Sequence, residues 1–299
     1  TWKARLTRSE QTCPWLPEPV LNRADLVARD DDLEAAVTAL QSRRLLVIHG
    51  ESGVGKSSLI HAGIVPTFQS GGHRVMVCAD WTTTGQTDPD DRPIPFAVAL
   101  AHQVSSVLGL PEDVFNAWNN FAGGFTAAMT RVVTQAMHET PMLVLDQFEE
   151  FLRRATRDEE QSFVDWIERT NNEQDSLRVV ISLRSEYFHR VQHLLKRLVS
   201  RNSLDHLILP PLINTPDIEA VITRPDRASE HIDPVAVRLL CEAWQQSQRR
   251  SRPLSLLQLK SILYTFFWRA HREDPANPMI TIDVVNKFLQ EVPESPATS

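Results

Sequence analysis

The chain has 299 residues, enough for one α/β core and a smaller second domain. Its net charge of −7 argues against nonspecific nucleic-acid binding by the whole surface, so nucleic acid is not indicated as a partner, although a local basic patch stays compatible. No stretch approaches the length of a membrane-spanning helix and the N-terminus has no apolar signal segment, which predicts no membrane partner. Cys13, Cys78 and Cys241 are odd in number and far apart, which predicts reduced thiols and a cytoplasmic setting instead of a disulfide framework. A first residue of Thr1 in place of Met suggests a piece of a longer protein.

In chain order, Asp32 reads as the cap of an amphipathic helix with Leu33, Val37 and Leu40 on one face. Leu45-Leu46-Val47-Ile48 follows as a buried parallel strand. Gly50-Glu51-Ser52-Gly53-Val54-Gly55-Lys56-Ser57 then completes the phosphate-loop pattern G-x-x-x-x-G-K-[ST]. Its glycines let backbone N–H groups turn inward around phosphates, Lys56 reaches the terminal oxygens, and the Ser57 hydroxyl is placed to hold Mg²⁺. Ser57-Ser58 opens a helix whose N-terminal dipole favours an anion. Three of the ten glycines fall in this loop, which therefore owes nothing to a glycine-rich composition. A nucleoside triphosphate is the predicted ligand.

Val75 to Cys78 reads as a short strand, Thr87 to Asp91 as an acidic loop without evident chemistry, and Pro93 to Leu108 as a helix with Phe96, Leu100 and Val104 at helical spacing. Pro141 reads as a helix stop before the strand Met142 to Leu145. Leu177 to Leu183 and Leu207 to Leu209 are two further strands. Strands alternating with helices predict a three-layer α/β core around a parallel sheet, over residues 31–210 after an N-terminal segment of residues 1–30. From Phe125 to Ser299 there is no glycine. Pro210-Pro211 marks the boundary to a smaller all-helical lid, residues 211–292, with helix starts at Thr215-Pro216 and Asp233-Pro234 and a third helix from Leu254 to His271. Residues 293–299, rich in Pro and Ser, read as a disordered tail.

Asp146 closes the strand Met142 to Leu145, where an aspartate supplies the second Mg²⁺ contact beside the loop serine. Many phosphate-loop ATPases place a glutamate directly after that aspartate, but here the position is Gln147. An amide orients water yet cannot take its proton, so Glu149 and Glu150 become the candidates for activating it, provided the chain leaves the strand in a tight turn. Either one also reads as a solvated acidic helix start. Slow hydrolysis is the expectation.

Asp146-Gln147-Phe148-Glu149-Glu150 together with Gly50 to Ser58 resembles the STAND class of P-loop ATPases, and more narrowly its prokaryotic novel STAND branch. Val27-Ala28-Arg29-Asp30 resembles the motif that approaches the nucleotide base in relatives, with Ala28 where a glycine is usual. Ile181-Ser182-Leu183-Arg184 resembles the sensor strand, whose arginine reports on the γ-phosphate. Pro253 to Trp268 and Ile280-Thr281-Ile282 resemble the segments after the core. A Gly-x-Pro nucleotide contact has no counterpart, and Pro225 is the nearest candidate for it. The resemblance implies a switch: ATP or ADP with Mg²⁺ held at rest, self-association on activation, sensor and effector domains beyond this chain, and in many relatives a role in defence against phage. The alternatives are an AAA+-type motor and a nucleotide-binding scaffold without catalysis. A GTPase is disfavoured, since no Asn/Thr-Lys-x-Asp motif occurs.

Weaker signals read more simply. Arg153 and Arg154 can serve as a finger toward a neighbouring subunit, but residues of this kind are more often solvated on a helix. His189 and His193 share helical spacing with no third ligand, and Arg249-Arg250-Ser251-Arg252 is a basic loop.

Overall fold

The computed structural model describes residues 13–82, 96–109, 138–172, 177–200, 204–225, 227–248 and 254–291. The readings made for Thr87 to Asp91, Pro93 to Pro95, Arg249 to Pro253 and residues 293–299 lie outside the described residues. The chain divides into two compact units. One comprises residues 29–52 and 56–210; the other comprises residues 1–28, 53–55 and 211–299.

The first unit opens with α1 (Asp30–Ser42). Its cap position is Arg29, one turn earlier than the sequence suggests, so Asp30, Asp31 and Asp32 all lie in the first turn, where carboxylates suit the positive end of the helix dipole. Asp32 therefore serves as an ion-pair partner of Arg29 and not as the cap. Leu33, Ala36 and Leu40 form the buried stripe.

Five strands follow: β1 (Leu45–Gly50), β2 (His73–Cys78), β3 (Thr140–Leu145), β4 (Arg178–Arg184) and β5 (Leu204–Ile208). They pair in the order β2-β3-β4-β1-β5, and every pairing is parallel. Continuous apolar runs are what a parallel sheet covered on both faces requires. Alternate residues fill two layers. Val47, Met76, Leu143, Leu145, Ile181 and Leu183 share a core with the helices α4 (Phe96–Leu108), α5 (Glu149–Arg154), α6 (Arg157–Asn172) and α7 (Ser185–Leu194). Leu46, Ile48, Val144 and Val180 are buried on the opposite face, where α1 lies against β1 and β5.

Pro141 is inside β3 instead of ending a helix. Thr140 donates to Gly72 on the β2 side, so the missing N–H of Pro141 faces β4, where pairing starts only at Met142. β5 begins three residues before the expected Leu207, and its mixed exposure is that of an edge strand. α8 (Lys196–Ser200) precedes it.

The second unit is helical: α9 (Thr215–Thr223), α10 (Pro234–Gln248), α11 (Leu256–Glu273) and α12 (Ile282–Glu291). Asn214 holds the cap position of α9, with Pro216 in its first turn. The Asp233 carboxylate accepts from the N–H of Val235 at the start of α10. Ser255 and Gln258 form a reciprocal capping box that starts α11. Residues 13–28 complete this unit's core. Trp15 is fully buried, donates its indole N–H to the Ile222 carbonyl at 2.8 Å, and meets Phe267 edge-on. Lys260 donates to the Glu18 carbonyl at 3.1 Å.

Ala28 adopts φ +52°, the left-handed region in which glycine carries no Cβ penalty. Ala28→Gly is expected to raise stability by about 0.5–1 kcal/mol, read from the denaturant midpoint. A variant less stable than the wild type would show that the alanine methyl contributes more than the strain costs.

Candidate functional site

β1 delivers the chain to Gly50, and the loop then turns through Gly53 at φ +73° and Gly55 at φ +104°. Successive left-handed glycines turn backbone N–H groups toward one concave side, as an anion requires. α2 (Lys56–Ser58) leaves the loop and continues as a π-helical stretch, Leu59–Ile64, and then as α3 (Val65–Ser70). Lys56 curls back over its own loop, its Nζ donating to the carbonyls of Gly50 at 3.0 Å and Glu51 at 2.8 Å. Burial pushes the Lys56 ammonium below the usual lysine range. Glu149 and Asp146 pull it back up, Arg184 lowers it and Glu186 raises it. These groups define the charge around the loop. Ser57 and Ser58 sit half-buried in the first turn, while Glu51 and Ser52 are exposed.

Topology explains how the other charges arrive. β4 lies between β1 and β3, so the carboxyl ends of the three strands bring Gly50, Arg184 and Asp146 to one edge. That edge is where parallel α/β sheets bind ligands. Asp146 is 2 % exposed. Its N–H donates to Cys78, its carbonyl accepts from the Trp81 indole at 2.9 Å, and its carboxylate accepts from the N–H of Gln147. Behind it, Trp81, Phe96, Phe148, Phe151 and Phe163 interlock, with Phe148 and Phe151 stacked at 4.8 Å.

Beyond Asp146 the chain turns sharply. Gln147 is exposed and left-handed at φ +53°, and Phe148 donates to the Ser182 carbonyl of β4 at 2.8 Å. This turn separates the two glutamates. Glu149 is buried, its Oε1 accepting from Arg184 Nε at 3.2 Å while its Oε2 has no hydrogen-bond partner. Glu150 is half-exposed and engaged by Arg153 at 3.0 Å and Arg154 at 3.9 Å. Arg184, the last residue of β4, keeps 43 % of its side chain exposed against 8 % for Glu149. The arginine is therefore the partner with room to move.

Arg29 is buried, and its guanidinium binds Asp32 at 2.8 Å and the Pro210 carbonyl at 2.8 Å. Pro225 lies in the helical unit, where its carbonyl accepts from Ala228 in the turn after α9. His189 and His193 are exposed on α7, and among the described residues no group of three His, Cys, Asp or Glu is arranged to hold a metal. Burial raises the thiols of Cys13 and Cys241 to about 11 and that of Cys78 to about 12. No described helix is long and apolar enough to cross a membrane.

Neither Trp81, which ties the end of β3, nor His49 stands out in the sequence. The one signal for His49 is a titratable residue set directly before the first loop glycine, after four apolar residues.

No curated protein matches the chain significantly. Among solved structures it is similar to the ORC2 protein of Aeropyrum pernix, solved as ADPNP–ADP complexes, at 14 % identity over 90 % of this chain and 71 % of that one, with a TM-score of 0.63. It is also similar to a Walker-type ATPase of Pyrococcus abyssi, at 12 % identity over 93 % and 75 % of the two chains and a TM-score of 0.59. A third likeness is to a chain of the HORMA:CdnC:Trip13 complex of E. coli, at 12 % identity over 92 % of each chain and a TM-score of 0.55. At these identities the likeness shows a shared P-loop ATPase fold. The family described as Novel STAND NTPase 1 matches residues 23–281, nearly the whole of both units, and the chain with its phosphate loop, parallel sheet and helical unit belongs to that family.

Proposed function

We propose that this chain is an ATP-binding, slowly hydrolysing ATPase that acts as a conformational and oligomerisation switch within a larger prokaryotic signalling protein, in a setting such as defence against phage. The observation that carries the reading is the buried Glu149 held by Arg184 beside Lys56. In this reading the loop from Gly50 to Ser58 cradles the phosphates, Lys56 binds the terminal oxygens, and Glu149 accepts the proton of the attacking water. Ser57 and Asp146 are the residues that would hold Mg²⁺, and the buried Asp146 carboxylate close to Lys56 suits that ligand. When bound, Mg²⁺ neutralises the charge that develops on the phosphate oxygens.

Arg184 faces a choice between the Glu149 carboxylate and a γ-phosphate. ATP draws the arginine away and ADP returns it, which is a difference in interaction that can bias two states. Hydrolysis is slow because the residue directly after Asp146 is Gln147, whose amide cannot accept a proton, which leaves that step to Glu149 further along the chain.

Lys56→Ala is expected to weaken ATP binding about 10- to 100-fold, from the ~1.5–3 kcal/mol of hydrogen bonds to a charged group, as measured by isothermal titration. Binding unchanged in that variant would remove the site. Turnover measured beside the nucleotide content of the purified protein tests the switch itself. Retained ADP with slow turnover supports it, turnover of several per second without a trigger favours the AAA+-type motor, and no hydrolysis at all favours the scaffold.

A further inference from the structure

His49 is 5 % exposed and sits directly before the phosphate loop, yet no step above uses it. Its Nδ1 lies 3.1 Å from the Ser185 hydroxyl, its ring stacks on Phe188 at 3.8 Å, and its Nε2 is buried without a partner. Burial first, and then the charges of His206, Lys56 and His189, lower its pKa to about 4, so the imidazole is neutral at pH 7. A purely apolar residue would fill this place at lower desolvation cost.

What His49 holds is specific. Ser185 is the first residue of α7 and the neighbour of Arg184, whose own backbone forms the cap of that helix without a side-chain hydrogen bond. In the ladder between β1 and β4, His49 pairs with Leu183 and Gly50 with Arg184. The His49–Ser185 hydrogen bond and the His49–Phe188 stack therefore clamp the first turn of α7 to the strand that carries the phosphate loop.

We infer that His49 is a positioning residue for Arg184: through its hydrogen bond to Ser185 it sets the backbone from which the guanidinium reaches either Glu149 or a γ-phosphate. This rests on the proposed role of Arg184 in telling ATP from ADP. Loss of the clamp leaves the arginine present but swinging from an unfixed base, which blunts the discrimination without abolishing binding.

The test compares His49→Phe, which keeps burial and stacking, with His49→Asn, which keeps a polar atom near the place of Nδ1, and with Ser185→Ala. The ratio of ATP to ADP affinity is measured by isothermal titration, with Arg184→Ala as the reference. Arg184→Ala is expected to lower the ratio about tenfold, as for loss of one charge-assisted hydrogen bond. His49→Phe and Ser185→Ala are expected to lower it about three- to tenfold each, the double variant no further than either, and His49→Asn less than twofold. Amide hydrogen exchange over residues 184–188, read without nucleotide, is expected to quicken about tenfold in His49→Phe and to stay unchanged in His49→Asn.

Wild-type exchange in His49→Phe overturns the inference whatever the nucleotide does. So does a wild-type affinity ratio in His49→Phe when Arg184→Ala has lowered it, and so do losses that multiply in the double variant. Quickened exchange together with an Arg184→Ala variant that discriminates like the wild type leaves the clamp standing, and overturns the sensor reading instead.

Discussion

Glu149→Gln is expected to slow ATP hydrolysis by about 10²–10³-fold while changing ATP affinity less than about threefold, and Glu150→Gln to stay within about twofold of the wild type. The two carboxylates are neighbours in the chain and strangers in the fold. Glu149 is buried, carries one oxygen with no partner, and faces Lys56 and Arg184. Glu150 is occupied by two arginines at the surface. Glutamine keeps the shape of Glu149 and still accepts from Arg184 through its amide oxygen, so the pocket survives and only proton acceptance is lost. Single-turnover measurement of phosphate release separates this from a binding defect. A slow Glu150→Gln with a normal Glu149→Gln would reverse the assignment. A second readout follows from charge. The Glu149 carboxylate raises the pKa of Lys56, so its removal lets the ammonium deprotonate at lower pH. ATP affinity of Glu149→Gln is therefore expected to fall off earlier on the alkaline side than that of the wild type.

Trp15→Ala is expected to cost about 3–5 kcal/mol, the usual loss for a large aromatic removed from a core. The ring is fully buried among the helices of the second unit, and its departure also strips the Ile222 carbonyl of its donor. Denaturant unfolding followed by circular dichroism is expected to show an early transition from the helical unit, while residues 29–52 and 56–210 unfold later with an unchanged midpoint. A single transition at the wild-type midpoint would mean that residues 13–28 add nothing to that core. The prediction matters because Trp15 lies in a stretch with no periodicity, which the sequence reads only as a lead-in to the Arg29 motif.

That contrast shows where legibility ends. Motifs whose chemistry is local could be read directly: the glycine spacing from Gly50 to Gly55, and the apolar runs of β1, β3 and β4. Which glutamate is buried could not, because it depends on Gln147 taking a left-handed conformation that only the surrounding structure enforces. The buried setting of Arg29 depends likewise on a carbonyl at Pro210, far away in the chain, coming within 2.8 Å of its guanidinium. β5 was shifted because an edge strand alternates weakly, and Leu207 to Leu209 was its most apolar stretch. Asp32 reads as a cap in the sequence because any of three consecutive aspartates can start α1, and the choice falls to Arg29 and its ion pair.

The pairing of β1 bears on how the protein is made. Leu45 pairs with Val179 on one side and with Leu204 on the other, both far along the chain. A ribosome that has finished Ser58 has written β1 and the phosphate loop but neither of the strands that flank β1. Contacts this distant are slow to form and leave the apolar β1 open to misassociation until β5 has emerged. Synthesis halted before Ile208 is thus expected to yield an aggregation-prone chain instead of a smaller binding module, so a ligand of the loop can help the protein fold only once nearly the whole sheet is in hand.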